Sequence, residues 1–268
     1  METHVIYAEL EVHACTAELY VNGFPLSRLA PETTHFEATA AHEFLVPGDN
    51  EIELLVEPGT RPSLARTERR DLATPFASAV ARLVRYPDGV FTEAANGEIL
   101  AEINWLCRPE VAAFPQSMSR LAALGAGHGR WSWQDAPVLV LDEQLVLEAR
   151  AVLDDVARTY RSGDADAAWR ATEIRVREGL RAYPSMSEAE GRAELAKVLA
   201  YYQRSPEPVR PFTPERHDFR LVARDRALQC VDIDWSASLK LENPSDEGAF
   251  VPYQLFLARI DGRLQVIR

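Results

Sequence analysis

Residues 46–58 read VPGDNEIELLVEP, a tight turn followed by an alternating segment. The proline, glycine, aspartate and asparagine at 47–50 are residue types that favour turns. Ile52, Leu54 and Val56 then alternate with glutamates at 51, 53 and, less regularly, 57. Alternation with a period of two is typical of a strand that packs one face against a core. The stretch therefore predicts an antiparallel sheet whose glutamates lie on the solvated face.

The same signature is repeated through the first part of the chain. Asn22 and Gly23 form a strong turn signal because both residue types tolerate positive φ. Residues 87–89, PDG, are a second turn signal. Further segments with strand alternation are residues 5–12, 17–21, 76–86 and 99–105. Several short strands separated by turns predict an antiparallel β-sandwich domain at residues 1–110.

From residue 142 the apolar residues follow helical spacing. One stripe runs from Leu145 to Tyr160, a second covers residues 168–183, and Ser187 with Glu190 forms a capping box that begins a third helix. Strand patterns then return at residues 219–223, 228–235, 238–241, 253–260 and 264–267. Three helices followed by strands predict an α+β domain at residues 142–268, with helices covering one face of a C-terminal antiparallel sheet.

Residues 111–141 show neither the strand nor the helix periodicity of apolar residues and are predicted to be a linker. Pro115, Pro137 and the glycine-rich run at 124–129 disfavour regular structure. Trp131 and Trp133 stand at the end of this stretch. Large indole rings are costly to leave in water, so we expect them to fill a seam between the domains or line a ligand mouth. They are the candidate partner-binding residues.

Composition limits the possible partners. The net charge is −12, and residues 1–110 alone carry 18 acidic and 8 basic residues. Such a surface repels nucleic acid and favours a basic protein partner, although an acidic balance also simply maintains solubility. The longest apolar runs, such as residues 137–141, are far shorter than the ~20 residues of a membrane helix. No membrane association is expected.

Compartment and source are also indicated by composition. Three widely separated cysteines without a CxxC motif predict reduced thiols rather than a disulfide framework or a zinc site. The N-terminus shows no signal-peptide pattern, so a cytoplasmic location is expected. Among 29 basic residues only Lys197 and Lys240 are lysines, a bias that suggests a bacterial gene of high GC content.

Two family resemblances follow from these segments. Residues 17–26, AELYVNGFPL, with residues 42–56, HEFLVPGDNEIELLV, resemble β-sandwich modules of the galactose-binding-like type over about residues 5–58. That resemblance implies carbohydrate or protein contacts at the loop ends. Residues 156–169, VARTYRSGDADAAW, and 255–268, LFLARIDGRLQVIR, resemble the NTF2-like, cystatin-like fold over residues 142–268. That resemblance implies a pocket between the helices and the sheet.

The strongest candidates for chemistry are Asp232 and Asp234. Two positions apart on a predicted strand, both side chains would project from one face, where they could share a proton as an acid–base pair. His217 lies just before the preceding strand and could join them. The alternative is that both acids decorate a solvated sheet face. No cofactor or metal is expected, because no tight ligand spacing such as HxxxH or HExxH occurs.

The sequence therefore predicts a non-catalytic binding or protein-interaction protein, since no coherent nucleophile motif is present. One alternative is a small-molecule or enzymatic pocket in residues 142–268, with Asp232, Asp234 and His217 as its candidates. Another is a carbohydrate-binding module in the sandwich. The oligomeric state is left open.

Overall fold

The structure, a computed structural model, describes residues 4–32, 35–71, 76–87, 96–108, 113–125, 130–246 and 248–268. The chain divides into two compact units, Met1–Arg130 and Trp131–Arg268. The first is built from strands, and the second combines helices with antiparallel strands. The predicted α+β class is thus confirmed.

The first unit contains two four-stranded antiparallel sheets, with strand orders β4-β1-β6-β7 and β3-β2-β5-β8. Alternate residues such as Leu10, Leu19 and Leu83 are fully buried between them, as a β-sandwich requires. The strands are β1 (His4–His13), β2 (Ala17–Val21), β3 (Phe24–Leu29), β4 (Phe36–Ala40), β5 (Gly48–Val56), β6 (Ser78–Pro87), β7 (Glu98–Leu106) and β8 (Gln116–Leu124).

Strand β5 follows the predicted alternation as far as Leu54, after which Leu55 is buried as well. Ile52, Leu54 and Val56 are buried, while the residues at 51 and 53 are only partly buried. Glu57 differs from the prediction, because it adopts a positive φ of 50° and is buried. Its Oε1 accepts a hydrogen bond of 2.8 Å from the Thr16 amide, so it holds the end of β5 to the start of β2 rather than facing water.

Two asparagines connect the turns at one end of the β3-β2-β5-β8 sheet. Asn50 is fully buried, and its Oδ1 accepts hydrogen bonds of 2.8 Å from the Val46 amide and from Asn22 Nδ2. Its Nδ2 donates to the carbonyls of Val46 and Gly48 at 2.8 and 3.0 Å. Asn22 Oδ1 in turn accepts a bond of 3.0 Å from the Glu51 amide. The Asn22–Asn50 pair therefore fixes both turns in one network.

The second unit places helices against antiparallel strands of order β14-β13-β10-β9, beside a separate β11-β12 hairpin. Its buried core includes Leu145, Leu153 and Val156 from the long helix, with Leu228 and Leu257 from the sheet. The helices are α1 (Ser132–Asp135), α2 (Glu143–Ser162), α3 (Ala165–Ala171), α4 (Glu173–Ala182) and α5 (Glu188–Tyr202). The strands are β9 (His217–Val222), β10 (Ala227–Asp232), β11 (Leu239–Glu242), β12 (Phe250–Tyr253), β13 (Leu255–Ile260) and β14 (Arg263–Val266).

The turns of this unit use left-handed backbone. Asp261 and Gly262 have φ of 51° and 78° and join β13 to β14, which confirms the predicted hairpin. Between β9 and β10, Ala223, Arg224 and Asp225 have φ of 52°, 56° and 62°. Three consecutive non-glycine residues in this region store backbone strain, because each side chain crowds its own carbonyl.

Two segments differ from the sequence predictions. The single helix predicted over residues 168–183 is interrupted at Thr172, where φ is −125°, so that α3 and α4 are separate. The Thr172 hydroxyl is buried and donates to the Ala168 carbonyl at 2.8 Å, a back-bond that commonly bends helices. The linker predicted at 111–141 contains β8, which pairs with β5 from Gly48 to Val56.

Some predicted features fall on residues outside the described set. These are residues 88–89 of the PDG turn, residues 111–112 of the predicted linker and residues 126–129 of the glycine-rich run. Within the described ranges, no helix is both long and apolar enough to cross a membrane.

Replacing Asn50 with alanine should destabilise the first unit. The change removes the four hydrogen bonds that this fully buried side chain makes to Asn22, Val46 and Gly48, at a cost of about 3 kcal/mol in the free energy of unfolding. The matched control is Asp49→Ala, since Asp49 is exposed in the same turn and its loss should cost less than about 0.5 kcal/mol. Urea denaturation followed by fluorescence measures both. Equal stabilities of the two variants would contradict the role assigned to Asn50.

Candidate functional site

The three residues predicted to carry chemistry lie at one end of β9 and β10. His217 and Asp232 are direct cross-strand partners in the β9–β10 register. Asp234 follows in the turn after β10, and Arg216 immediately precedes β9. The three predicted residues therefore lie near one another, and the sequence analysis missed Arg216, which contacts both aspartates.

The geometry of the two aspartates differs from the predicted acid–base pair. Strand β10 ends at Asp232, because the Asp232 amide donates to the Ser236 carbonyl at 2.8 Å and the chain turns. Asp234 therefore does not continue on the same strand face. Arg216 Nη2 contacts Asp232 Oδ1 at 2.9 Å and Asp234 Oδ2 at 2.8 Å, so one guanidinium bridges both carboxylates.

The electrostatics of Asp234 favour its ionised form. Partial burial works against ionisation of Asp234, but hydrogen bonds from Ser236 and the charges of Lys240 and Arg216 outweigh it and hold the pKa below its ordinary value. Because the same Arg216 guanidinium contacts both carboxylates, the two acids and the arginine form an ion-pair cluster.

His217 is buried and lies among aromatic rings. Its side chain is 5% exposed, with the Phe212 ring centroid at 4.7 Å and the Phe219 centroid at 6.4 Å. Neither ring nitrogen has a hydrogen-bond partner among the described residues. Burial lowers the pKa of His217, and Arg150 lowers it further, against the opposing charges of Asp232, Asp154 and Glu215. The imidazole is therefore held neutral.

This arrangement is not suited to general acid–base catalysis. A catalytic base must come within hydrogen-bond distance of the proton that it removes. The two nitrogens of His217 are both buried from solvent, and Asp232 Oδ1 is buried against Arg216. For a metal, no group of three or more histidine, cysteine, aspartate or glutamate side chains in the described ranges is arranged to hold an ion.

Trp131 and Trp133 are buried rather than displayed, with exposures of 2% and 7%. The guanidinium carbons of Arg181 and Arg268 lie 4.5 Å and 5.1 Å from the centroid of the Trp131 ring. Glu178 joins this cluster, since its Oε1 accepts from the Ser132 amide at 2.7 Å and its Oε2 from Arg268 Nη1 at 2.5 Å. The described contacts therefore give Trp131 a structural role within residues 131–268, and neither ring is accessible to a partner.

A different segment, residues 137–141, displays apolar side chains to solvent. Val138 is 61% exposed and Val140 is 72% exposed, whereas Leu139 between them is buried in the core. Leu141 is also exposed, and exposed acidic side chains flank the stretch at Asp135, Asp142 and Glu143. We call residues 137–141 the display segment. Sequence reasoning noted its apolar run only as too short for a membrane helix.

Comparisons of this chain with family models, with curated proteins and with solved structures find no match.

Removing Glu178 should strongly destabilise the second unit. Glu178→Ala leaves the buried Arg268 guanidinium without this carboxylate, which should cost about 3 kcal/mol in the free energy of unfolding. The control is Glu173→Ala on the same helix. Its ion pair with Arg177 is exposed, so we expect a loss of about 0.5 kcal/mol or less. Denaturant titration measures both, and a control as damaging as the test variant would refute the assigned role.

Replacing His217 with leucine should stabilise the protein. Leucine keeps apolar contact with Phe212 and removes two buried nitrogens without partners, which should raise the free energy of unfolding by about 1 kcal/mol. The pH dependence should change as well. With the folded pKa lowered, the unfolded chain takes up the proton first, near the ordinary value of 6.5.

Wild-type stability from His217 is therefore complete above pH 6.5 and declines as the pH falls toward the lower folded pKa. His217→Leu should lack this part of the decline. Urea titrations at pH 7.5 and pH 5.5 compare the two proteins. An identical acid-induced loss in the variant and the wild type would show that His217 is not the titrating group.

Proposed function

We propose that this protein is a non-catalytic binding protein that docks a basic protein partner on the display segment. The observation that carries the proposal is the exposure of Val138, Val140 and Leu141, with exposed acidic residues flanking them in sequence. Contiguous apolar surface with a polar rim is the usual composition of a protein-binding site. The energetic benefit of docking is the removal of these side chains from water.

The charge of the chain supports a basic partner. Asp135, Asp142 and Glu143 are exposed and lie on both sides of the display segment in sequence, so its ends carry negative charge. Opposite charges on a partner would raise the rate of encounter and select against acidic competitors, nucleic acid included. The apolar centre would then provide most of the affinity, since exposed rim charges are screened by salt.

The state of the predicted catalytic residues also supports a binding role. Asp232 and Asp234 are bridged by Arg216, and His217 is sealed from solvent. We place the protein in the cytoplasm as part of the same proposal. Cys15 and Cys230 are buried free thiols, and burial together with the Glu57 charge raises the pKa of Cys15 to about 12, which makes it unreactive.

The small-molecule alternative has less support. Buried hydrocarbon side chains occupy the described space between α2 and the sheet, where the NTF2-like resemblance implied a pocket. A surface depression of about 510 Å³ lies instead beside Arg204 and Arg210, and the second cation is already paired with Glu242. The carbohydrate-binding alternative stays a prediction from the sequence.

Affinity capture from a lysate of the source organism tests the proposal. The double variant Val138→Asp with Val140→Asp adds charge to the display segment, so specific partners should be recovered about tenfold less than with the wild type. The control is Leu121→Asp on β8, an exposed leucine in the other unit, which should leave recovery unchanged. Equal recovery of the same proteins by all three baits, or no recovery by any, would refute docking on this segment.

A further inference from the structure

A surface depression of about 510 Å³ lies where the chain leaves α5 and enters the proline-rich stretch before β9. Its wall is formed by residues 204–207, 210–211 and 242–244. Three of these residues, at 206, 211 and 244, are prolines, whose fixed rings give the wall rigid apolar surface. The volume is within the range of ligand pockets, roughly 300–1,000 Å³. We call this feature the proline depression.

Hydrogen bonds hold both sides of the proline depression. On one side, the Tyr201 hydroxyl at the end of α5 donates to Asn243 Oδ1 at 2.8 Å. On the other side, Arg210 Nε donates to Glu242 Oε2 at 2.9 Å, and Arg210 Nη2 donates to the Gly248 carbonyl at 2.9 Å. These bonds fix the residues after β11 against the chain that follows α5. The depression is therefore preformed, and a ligand that entered it would cause little loss of conformational entropy.

Two charged side chains on the wall take no part in this frame. Arg204 and Glu207 are exposed, and neither forms an ion pair within the part of the chain that the structure describes. The Arg204 guanidinium carbon lies 5.3 Å from the centroid of the Tyr201 ring, a cation–π contact that restrains the side chain. Arg210 and Glu242, by contrast, neutralise each other. The wall thus offers one unmatched positive group and one unmatched negative group beside apolar surface.

We propose that the proline depression binds a small zwitterion of the amino-acid type, whose carboxylate pairs with Arg204 and whose ammonium group pairs with Glu207. A simple anion would bring a second negative charge close to Glu207, and a simple cation would bring a second positive charge close to Arg204. A ligand that carries both signs is attracted by both groups, which is the basis of selection. The site uses no residue of the display segment, so the inference goes beyond the proposed function.

The prolines favour an amino acid with a large apolar side chain. Removing a phenyl group from water against the proline rings would provide most of the affinity. The two ion pairs are exposed, so each contributes a small part of the affinity and acts mainly on selection. Phenylalanine is therefore the probe. Its analogues are 3-phenylpropionate, which lacks the ammonium group, and 2-phenylethylamine, which lacks the carboxylate.

NMR titration of the full chain with these three ligands tests the site. Phenylalanine should shift the backbone amide resonances of wall residues such as Ser205 and Asn243, and each analogue should bind about fivefold more weakly. The variants are Arg204→Gln and Glu207→Gln, both at exposed positions. The control is Lys197→Gln, which removes an exposed charge from α5 outside the depression.

The two variants should affect the three ligands differently. Arg204→Gln should weaken phenylalanine and 3-phenylpropionate about fivefold and leave 2-phenylethylamine bound no more weakly than before. Glu207→Gln should weaken phenylalanine and 2-phenylethylamine and leave 3-phenylpropionate no weaker, and Lys197→Gln should change none of them. The absence of amide shifts with millimolar phenylalanine would overturn the proposal. So would analogues that bind as tightly as phenylalanine, or variants at 204 and 207 that behave like the control.

Discussion

The position of Leu139 is the constraint on which the surface of the second unit depends. Its side chain is buried with the α2 and sheet residues, and its amide is held by the Asp225 carbonyl. Leu139 is the one buried residue of the display segment, and the residues on either side of it at 137, 138, 140 and 141 are exposed. The anchored leucine thus holds a short apolar stretch at the surface, with exposed acidic residues next to it in sequence.

Several buried or half-buried acidic groups among the described residues have a polar partner, which gives them a structural role. Glu178 is matched by Arg268, Asp232 by Arg216, and the buried Glu9 carboxylate by the Tyr86 hydroxyl at 2.6 Å. Each pair satisfies polar groups that would be costly to bury alone. Reactive sites need the opposite arrangement, in which a group is left unsatisfied yet reachable by a substrate. His217 is unsatisfied, but it is enclosed.

The sequence predicted those elements whose patterns are local. Strand β2 and the capping box at Ser187 were located correctly, because alternation and capping need only neighbouring residues. Strand β8 was missed, since its polar residues show no clear alternation and its pairing with β5 is a long-range contact. The break at Thr172 depends on one buried hydroxyl.

Prediction of the candidate site was limited in the same way, because local sequence patterns do not report long-range contacts. Adjacency of His217 and Asp232 follows from strand pairing, which the sequence could suggest. Arg216 can bridge the two aspartates only because the chain turns after Asp232, and the spacing of apolar residues in the sequence does not predict that turn. Burial of Trp131 against Arg181 and Arg268 likewise depends on tertiary contacts, and the exposure of Val138 could not be predicted because it lies in an apolar run typical of a core.

The turn at residues 223–225, which has left-handed backbone at three positions, is hydrogen-bonded to the display segment. The Asp225 carbonyl accepts a hydrogen bond from the Leu139 amide and Arg226 donates to the Ala136 carbonyl, so the turn holds the display segment at two points. Glycine in place of Arg224 would relax the turn without touching either valine. Under the proposed function, substitution in this turn would change affinity for a partner while the side chains of the contact surface stay the same.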